Sequence, residues 1–253
     1  MLERTFQTPL PLELEVGIPS GDIEVETTEG EESNITVDGD DRLLEEVEIR
    51  QDGNRVVVTY RGKGKFGFSL SPLSLVFGSE LRVRATIPHG GGVKVKTASA
   101  DTRLDGHFGP LGINSVSGDV RLRGETAGGA NLKTVSGDAE LDKVDGDLSA
   151  HTVSGDLRMG PVGGSTDLKT VSGDIRLQAV SAGDVRFSSV SGDIEIGIAS
   201  GSALDVDAGS TSGDLSSEVP LASEPVAGEG EAAPTVVLRG RTVSGDVKVF
   251  RAG

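Results

Sequence analysis

Cysteine and tryptophan are both absent from this 253-residue chain, and tyrosine occurs once. Without thiols there are no disulfides and no thiolate metal sites, and the redox compartment is left open. Aromatic residues make up only 3% of the chain. That is too few for the ring-rich interior of a thick globular domain, but no obstacle to a narrow core of valine, isoleucine and leucine. No stretch reaches the roughly 18 consecutive apolar residues of a membrane span. The opening residues, MLERTFQTPLPLELEV, lack the basic segment and apolar run of a secretory signal. The expectation from these two absences is a cytoplasmic chain with no direct membrane span. Positive charge is also short, at 24 Lys and Arg against 40 Asp and Glu, for a net charge of −16. Such a field repels phosphate backbones, so the expected partner is protein and not nucleic acid, and the acidity otherwise serves solubility. There is no nucleophile elbow, phosphate loop, HExxH or Cys/His cluster, and no segment has a helical apolar period.

What is present is a phrase that keeps returning. It reads SVSGDVRL at 115–122, TVSGDAEL at 134–141, TVSGDLRM at 152–159, TVSGDIRL at 170–177, SVSGDIEI at 189–196 and TVSGDVKV at 242–249. TASADTRL at 97–104 is a worn copy. From Gly118 to Gly137, Gly155, Gly173 and Gly192 the spacings are 19, 18, 18 and 19 residues. A weaker corner at Gly146, Gly164 and Gly183 halves that period. Self-similarity at a fixed short period is the mark of a solenoid, whose repeats bury their apolar faces only against their neighbours. The expected fold is all-β: a single-stranded parallel β-helix with 18–19-residue rungs, right-handed by the usual crossover rule, and an N-terminal β-rich cap.

Within each copy, glycine supplies the backbone freedom of a tight corner. The aspartate after it accepts hydrogen bonds from amides at the bend. The structural turn positions are therefore Gly118, Asp119, Gly137, Asp138, Gly155, Asp156, Gly173, Asp174, Gly192, Asp193, Gly245 and Asp246. Strand alternation puts Val120, Ala139, Leu157, Ile175 and Ile194 in one inward column, and Leu122, Leu141, Met159, Leu177 and Ile196 in another. Arg121, Glu140, Arg158, Arg176 and Glu195 form an outward column with opposite charges adjacent at three of four steps. Hydroxyl rows precede the corner. Corners break strand parity, so the direction of Val116, Val135, Val153, Val171 and Val190 stays open.

Residues 1–92 form an N-terminal β region. Leu12, Leu14 and Val16 alternate with glutamates, PSGDIEVET at 19–27 is an early rung or a cap, and Asp52-Gly53-Asn54 joins two strands of a hairpin. The most apolar segment, 66–78, carries Phe66, Phe68, Leu70, Leu73, Leu75 and Phe77. It reads as a flap over one end of the stack or as a partner patch. Residues 93–253 form the array, interrupted by an acidic, proline-rich loop at 216–234 that reads as mobile, with the last copy as the final rung.

The repeated VSGD phrases with I-x-L strands after them, preceded by an alternating β region, resemble the bacterial toastrack family, an adhesin-named β-solenoid domain of unknown function. The resemblance runs from about Phe6 to Phe250. It implies a β-solenoid found alone or near membrane and envelope-stress components, and no catalytic residues to carry over. Polymerising bactofilin-like β-helices are a weaker likeness.

The aspartate row invites comparison with calcium-binding β-rolls, but those need GGxGxD, and one carboxylate per turn is thin for a cation that takes six to eight oxygens. No metal or other cofactor is expected. The acidic residues recur with the repeat instead of breaking it, which argues against paired catalytic carboxylates. His89, His107 and His151 are scattered. The expectation is a non-catalytic scaffold or interaction protein with a protein partner, homo-oligomer formation being open. The alternatives are a surface adhesin or carbohydrate-binding module and, behind it, a glycan-active enzyme.

Overall fold

A computed structural model describes residues 1–62, 80–219 and 234–252. Among them, 21 strands form one sheet, wound on itself so that parallel partners lie one rung apart. The repeat fixes the register. Leu157 pairs with Ile175, and Ile175 with Ile194, as the strands Leu157–Val162, Ile175–Val180 and Ile194–Ile198 stack. On the opposite wall, Ala130–Lys133, Leu148–His151, Thr166–Lys169 and Gly183–Ser188 stack in the same way.

The core is a thin double layer of aliphatic columns. Val120, Ala139, Leu157, Ile175, Ile194 and Val247 are all buried, as are Leu122, Leu141, Met159, Leu177, Ile196 and Val249. Phe187 needs more width than its column offers, and Gly240 on the neighbouring strand makes room: a Cβ there would sit 2.4 Å from the ring. Few aromatics are used because few would fit.

The N-terminal copy PSGDIEVET is a rung. The strand Glu13–Thr28 runs parallel to Gly92–Phe108 from Glu13 opposite Gly92 to Glu26 opposite Asp105. Below it lie Arg55–Tyr60 and Leu81–Pro88, also parallel. Antiparallel strands then end the stack: Val47–Asp52 on Arg55–Tyr60, and Leu2–Gln7 on Glu32–Asp38, which itself pairs with Leu81–Pro88. The hairpin turns at Gly53 (φ +59°) as its Asp-Gly predicts. One helical turn, Asp41–Leu44, is capped by Asp40, whose side chain accepts a hydrogen bond from the Arg42 amide.

At the other end two expectations are corrected. The last copy is not the final rung. Thr235–Ser244 and Val247–Arg251 lie between the rung of Gly183–Ser188 and Ile194–Ile198 and the rung of Ala203–Ser212 and Leu215–Ser217. The chain therefore makes its terminal rung first, leaves a gap, and returns to fill it. Composition explains the order. Val236, Leu238, Val247 and Val249 are fully buried and need a neighbour on both sides, whereas Asp205, Asp207, Ser216 and Ser217 are exposed and suit a polar end. The loop expected at 216–234 does not begin at Ser216, because Ser216 and Ser217 belong to a strand and Val219 is buried, and its remainder, 220–233, lies outside the described residues.

Candidate functional site: the corner repeated on every rung

At the glycine corner, backbone lies on backbone. Gly173 has φ +134°, and a Cβ on it would fall 2.2 Å from the carbonyl oxygen of Gly155. Both the conformation and the space therefore demand glycine. The same close approach recurs from Gly118 to Gly245 and on to Gly213.

The aspartate that follows ties rungs together. Asp119 Oδ1 accepts from the Asp138 amide at 3.0 Å, Asp138 from Asp156 at 2.8 Å, and Asp156 from Asp174 at 3.0 Å. Asp174 accepts from Asp193, Asp193 from Asp246, and Asp246 from Asp214, each at 2.9 Å. Asp101, in the worn copy, begins the row by accepting from Asp119 at 3.0 Å. Each bond reaches the next rung rather than the residue's own bend. One oxygen of every carboxylate before the last is thus engaged, and the carboxylates stand in line without converging. A calcium ion wants converging oxygens, and among the described residues no group of three or more His, Cys, Asp or Glu could hold a metal ion.

The two residues before the serine face opposite ways. Ser115, Thr134, Thr152, Thr170, Ser189 and Thr242 are buried. Ser115, Ser189 and Thr242 donate to the carbonyl two residues on, at 3.1–3.2 Å. The hydroxyls of Thr134, Thr152 and Thr170 have no hydrogen-bond partner. Val116, Val135, Val153, Val171, Val190 and Val243 point out and are 43–52% exposed. They form a continuous apolar row along the edge of the stack. The row is stiff, because each valine carbonyl from Val116 to Val190 accepts the serine amide of the next rung at 2.7–2.9 Å.

Charged columns flank it. Arg121 bonds Glu140 at 2.9 Å and Arg176 pairs with Glu195 at 3.1 Å, while Arg158 turns to Asp156 at 2.8 Å. The Glu140 hydrogen bond and charge raise Arg121 above its ordinary value. A hydrogen bond from Lys143 and its charge, with His107 helping, hold Glu125 below the usual carboxylate range.

On the other wall, Ser149, His151 and Asp167 come together across two rungs. Asp167 Oδ2 lies 3.1 Å from His151 Nε2 and receives the Lys169 ammonium at 2.8 Å. Ser149 Oγ is 3.5 Å from that same Nε2. A relay that activates serine needs the acid on one ring nitrogen and the hydroxyl on the other, so this cluster is not a catalytic triad. Burial pushes the Asp167 carboxyl up, but hydrogen bonds from Lys169 and His151, helped by the charges of both, outweigh it and leave the carboxyl below its usual range.

The Toastrack DUF4097 family profile matches residues 12–250. The chain belongs to that family. A putative adhesin from Bacteroides fragilis NCTC 9343 shares the fold at 14% identity and a TM-score of 0.59, over 98% of this chain and 96% of its own. A putative adhesin from Parabacteroides distasonis ATCC 8503 is 16% identical, with a TM-score of 0.46 over 98% and 96% of the two chains. At 14% identity the likeness to the Bacteroides fragilis protein is one of fold alone. A comparison with curated proteins finds no match.

In this Toastrack chain the twelve glycine and aspartate turn positions fall in two adjacent columns at one corner. The segment Phe66, Phe68, Leu70, Leu73, Leu75 and Phe77 lies outside the described residues. Among the described residues no helix is long and apolar enough to cross a membrane. Sequence reasoning missed three features. Gly213 and Asp214 are a further copy, signalled by STSGDLSS at 210–217, where Thr211 replaces the valine. The outward turn of the valines had no signal in spacing. The Ser149–His151–Asp167 contact follows from the 18-residue register once Ser149 is placed opposite Asp167.

Proposed function

We propose that this Toastrack chain is a non-catalytic β-solenoid scaffold that binds protein through the edge formed by its repeated corner, in the cytoplasm. The observation that carries the reading is the valine row: six exposed apolar side chains in register on a stiff backbone, in a chain whose aliphatic columns are otherwise turned inward. Exposed apolar surface of this extent marks interaction sites. The aspartates beside it are spent on holding rungs together, and the acidic residues follow the repeat instead of departing from it as reacting groups do.

The test is capture of proteins by the immobilised chain, compared with a Val135→Ser, Val153→Ser, Val171→Ser variant of unchanged circular dichroism. Loss of the captured set supports the edge; equal capture overturns it. A parallel deletion of 66–78 reports whether that segment docks anything. Turnover of a polysaccharide, abolished by one aspartate substitution, would overturn the non-catalytic reading. A surface adhesin is the second reading, favoured by the names of the similar solved structures. Cell fractionation separates it, since it requires the chain outside.

A further inference from the structure

The valine edge has a column of cationic side chains on one side and a row of carboxylates on the other. Going around the rung, a basic column comes first: Lys96, Lys133, Lys169 and Arg241, with Asn114, His151 and Ser188 at the positions between them. The valine row follows, then the serines, then the unbroken aspartate row. Lys133 and Arg241 have no ion-pair partner among the described residues, whereas Lys169 is held by Asp167 and Lys96 by Glu15. The edge is therefore polar across its width and uniform along its length.

That arrangement is complementary to itself in one orientation. A two-fold axis running along the valine row brings in a second copy pointing the same way, with valine on valine. The basic column of each copy then faces the aspartate row of the other. Turning the second copy end for end sets lysine on lysine and aspartate on aspartate. Both copies repeat at the same rung spacing, so a contact made on one rung is made on all. From Ala98 to Thr211 the edge spans eight rungs, about 34 Å at ~4.8 Å per rung. A strip about 15 Å wide would bury on the order of 500 Å² per copy, at the low end of specific interfaces.

We propose that two copies of this chain pair side by side, in parallel, through the valine edge. The inference rests on the edge being the interaction surface and names its occupant as a second copy. A weak, reversible dimer is what its area predicts, closed by symmetry because the same patch serves both sides.

The cysteine-free sequence makes the test direct. Val116→Cys, Val153→Cys and Val243→Cys are made singly in the full chain and oxidised. The parallel pair predicts a disulfide dimer from each, and from a mixture of Val116→Cys and Val243→Cys only same-site dimers. Cross-linking of Val116→Cys to Val243→Cys, or disulfide dimers from Val153→Cys but from neither of the other two variants, means an end-for-end arrangement and overturns the proposal. In sedimentation, the mass of the unmodified chain should approach twice the monomer's at submillimolar concentration. Val135→Asp, Val153→Asp and Val171→Asp together should weaken association by more than about tenfold, and Lys133→Glu with Arg241→Glu should weaken it too. Circular dichroism of each variant must match the parent's, and the disulfide pattern stands whether or not the aspartate variant folds. A chain that stays monomeric at submillimolar concentration and gives no disulfide dimer overturns self-pairing. If the valine-to-serine variant nonetheless loses capture of another protein, the edge still binds and only its occupant was wrong.

Discussion

Asp156 Oδ1 accepts a hydrogen bond from the backbone amide of Asp174, one rung on, at 3.0 Å. The side chain of each corner thus satisfies the main chain of the next, in a row that begins at Asp101 and ends at the Asp214 amide. The carboxylate's role here is acceptance, which asparagine can also supply.

Asp156→Ala should therefore destabilise the chain by about 1–2 kcal/mol, leaving the Asp174 amide to water. Asp156→Asn should stay within about 0.5 kcal/mol of the parent, because it keeps an acceptor and gives up only a half-exposed pair with Arg158, which the loss of one charge from a crowded acidic row offsets. Chemical denaturation of the two variants measures both. Equal losses would mean that the charge, and not the acceptor, matters.

Glycine at the corner is under a double constraint, and a pair of variants separates its parts. Gly30 has φ +119°, and a Cβ on it would meet nothing within 4 Å, while Gly173 has φ +134° and would meet a carbonyl oxygen at 2.2 Å. Gly30→Ala should cost about 1–2 kcal/mol from backbone strain alone. Gly173→Ala should cost about 4 kcal/mol or more, since the atom it meets is backbone and cannot swing aside. Melting curves showing equal losses would refute the stacking clash.

The gap-filling rung links segments far apart in sequence. Thr235–Ser244 and Val247–Arg251 are the neighbours that hold Ala203–Ser212 and Leu215–Ser217 in the stack. Removing residues 235–253 should therefore strip hydrogen-exchange protection from 203–217, although that segment precedes the deletion, and leave the amides of 139–177 protected. Retained protection at 203–217 would show that the terminal rung docks without its neighbour.

Much of this was legible in the sequence. A glycine every 18 or 19 residues, with Ile175 in phase with Leu157 and Ile194, is enough to fix the register and both inward columns. Three things were not legible. Periodicity says which residues stack but not which rung lies beside which, so the last copy read as the end although its buried Val247 and Val249 belong between neighbours. Val153 sits where the chain turns, and alternation along a strand says nothing about a bend. Spacing suggests that each aspartate accepts from amides of its own bend, whereas the donor belongs to the next rung, a distinction that spacing alone does not make.

Asp167 gives the acid side of the stability profile a residue to look for. Its carboxyl lies below the usual range in the folded chain. A group with a depressed folded value favours the folded state above its unfolded value of about 4, and that contribution disappears as pH falls through the folded value. Between about pH 5 and pH 2 the melting temperature should fall, and Lys169→Met should make the fall shallower by removing a hydrogen bond and a charge that hold the carboxyl down. Superimposable profiles for the two proteins would remove Asp167 as a contributor.

Three threonines make the least expected prediction. The hydroxyls of Thr134, Thr152 and Thr170 are buried on successive rungs behind the valine edge and have no partner. An unpaired buried hydroxyl costs free energy, and valine has nearly the same shape without it. At most positions Thr→Val in a hydrogen-bonded interior is destabilising, but here no bond is lost. Thr152→Val should leave stability unchanged or raise it by up to about 1 kcal/mol, and Ser189→Ala, which removes a donor to the Ser191 carbonyl, should lower it. Denaturation midpoints decide the matter: a Thr152→Val variant less stable than the parent would mean that its hydroxyl is bonded in solution.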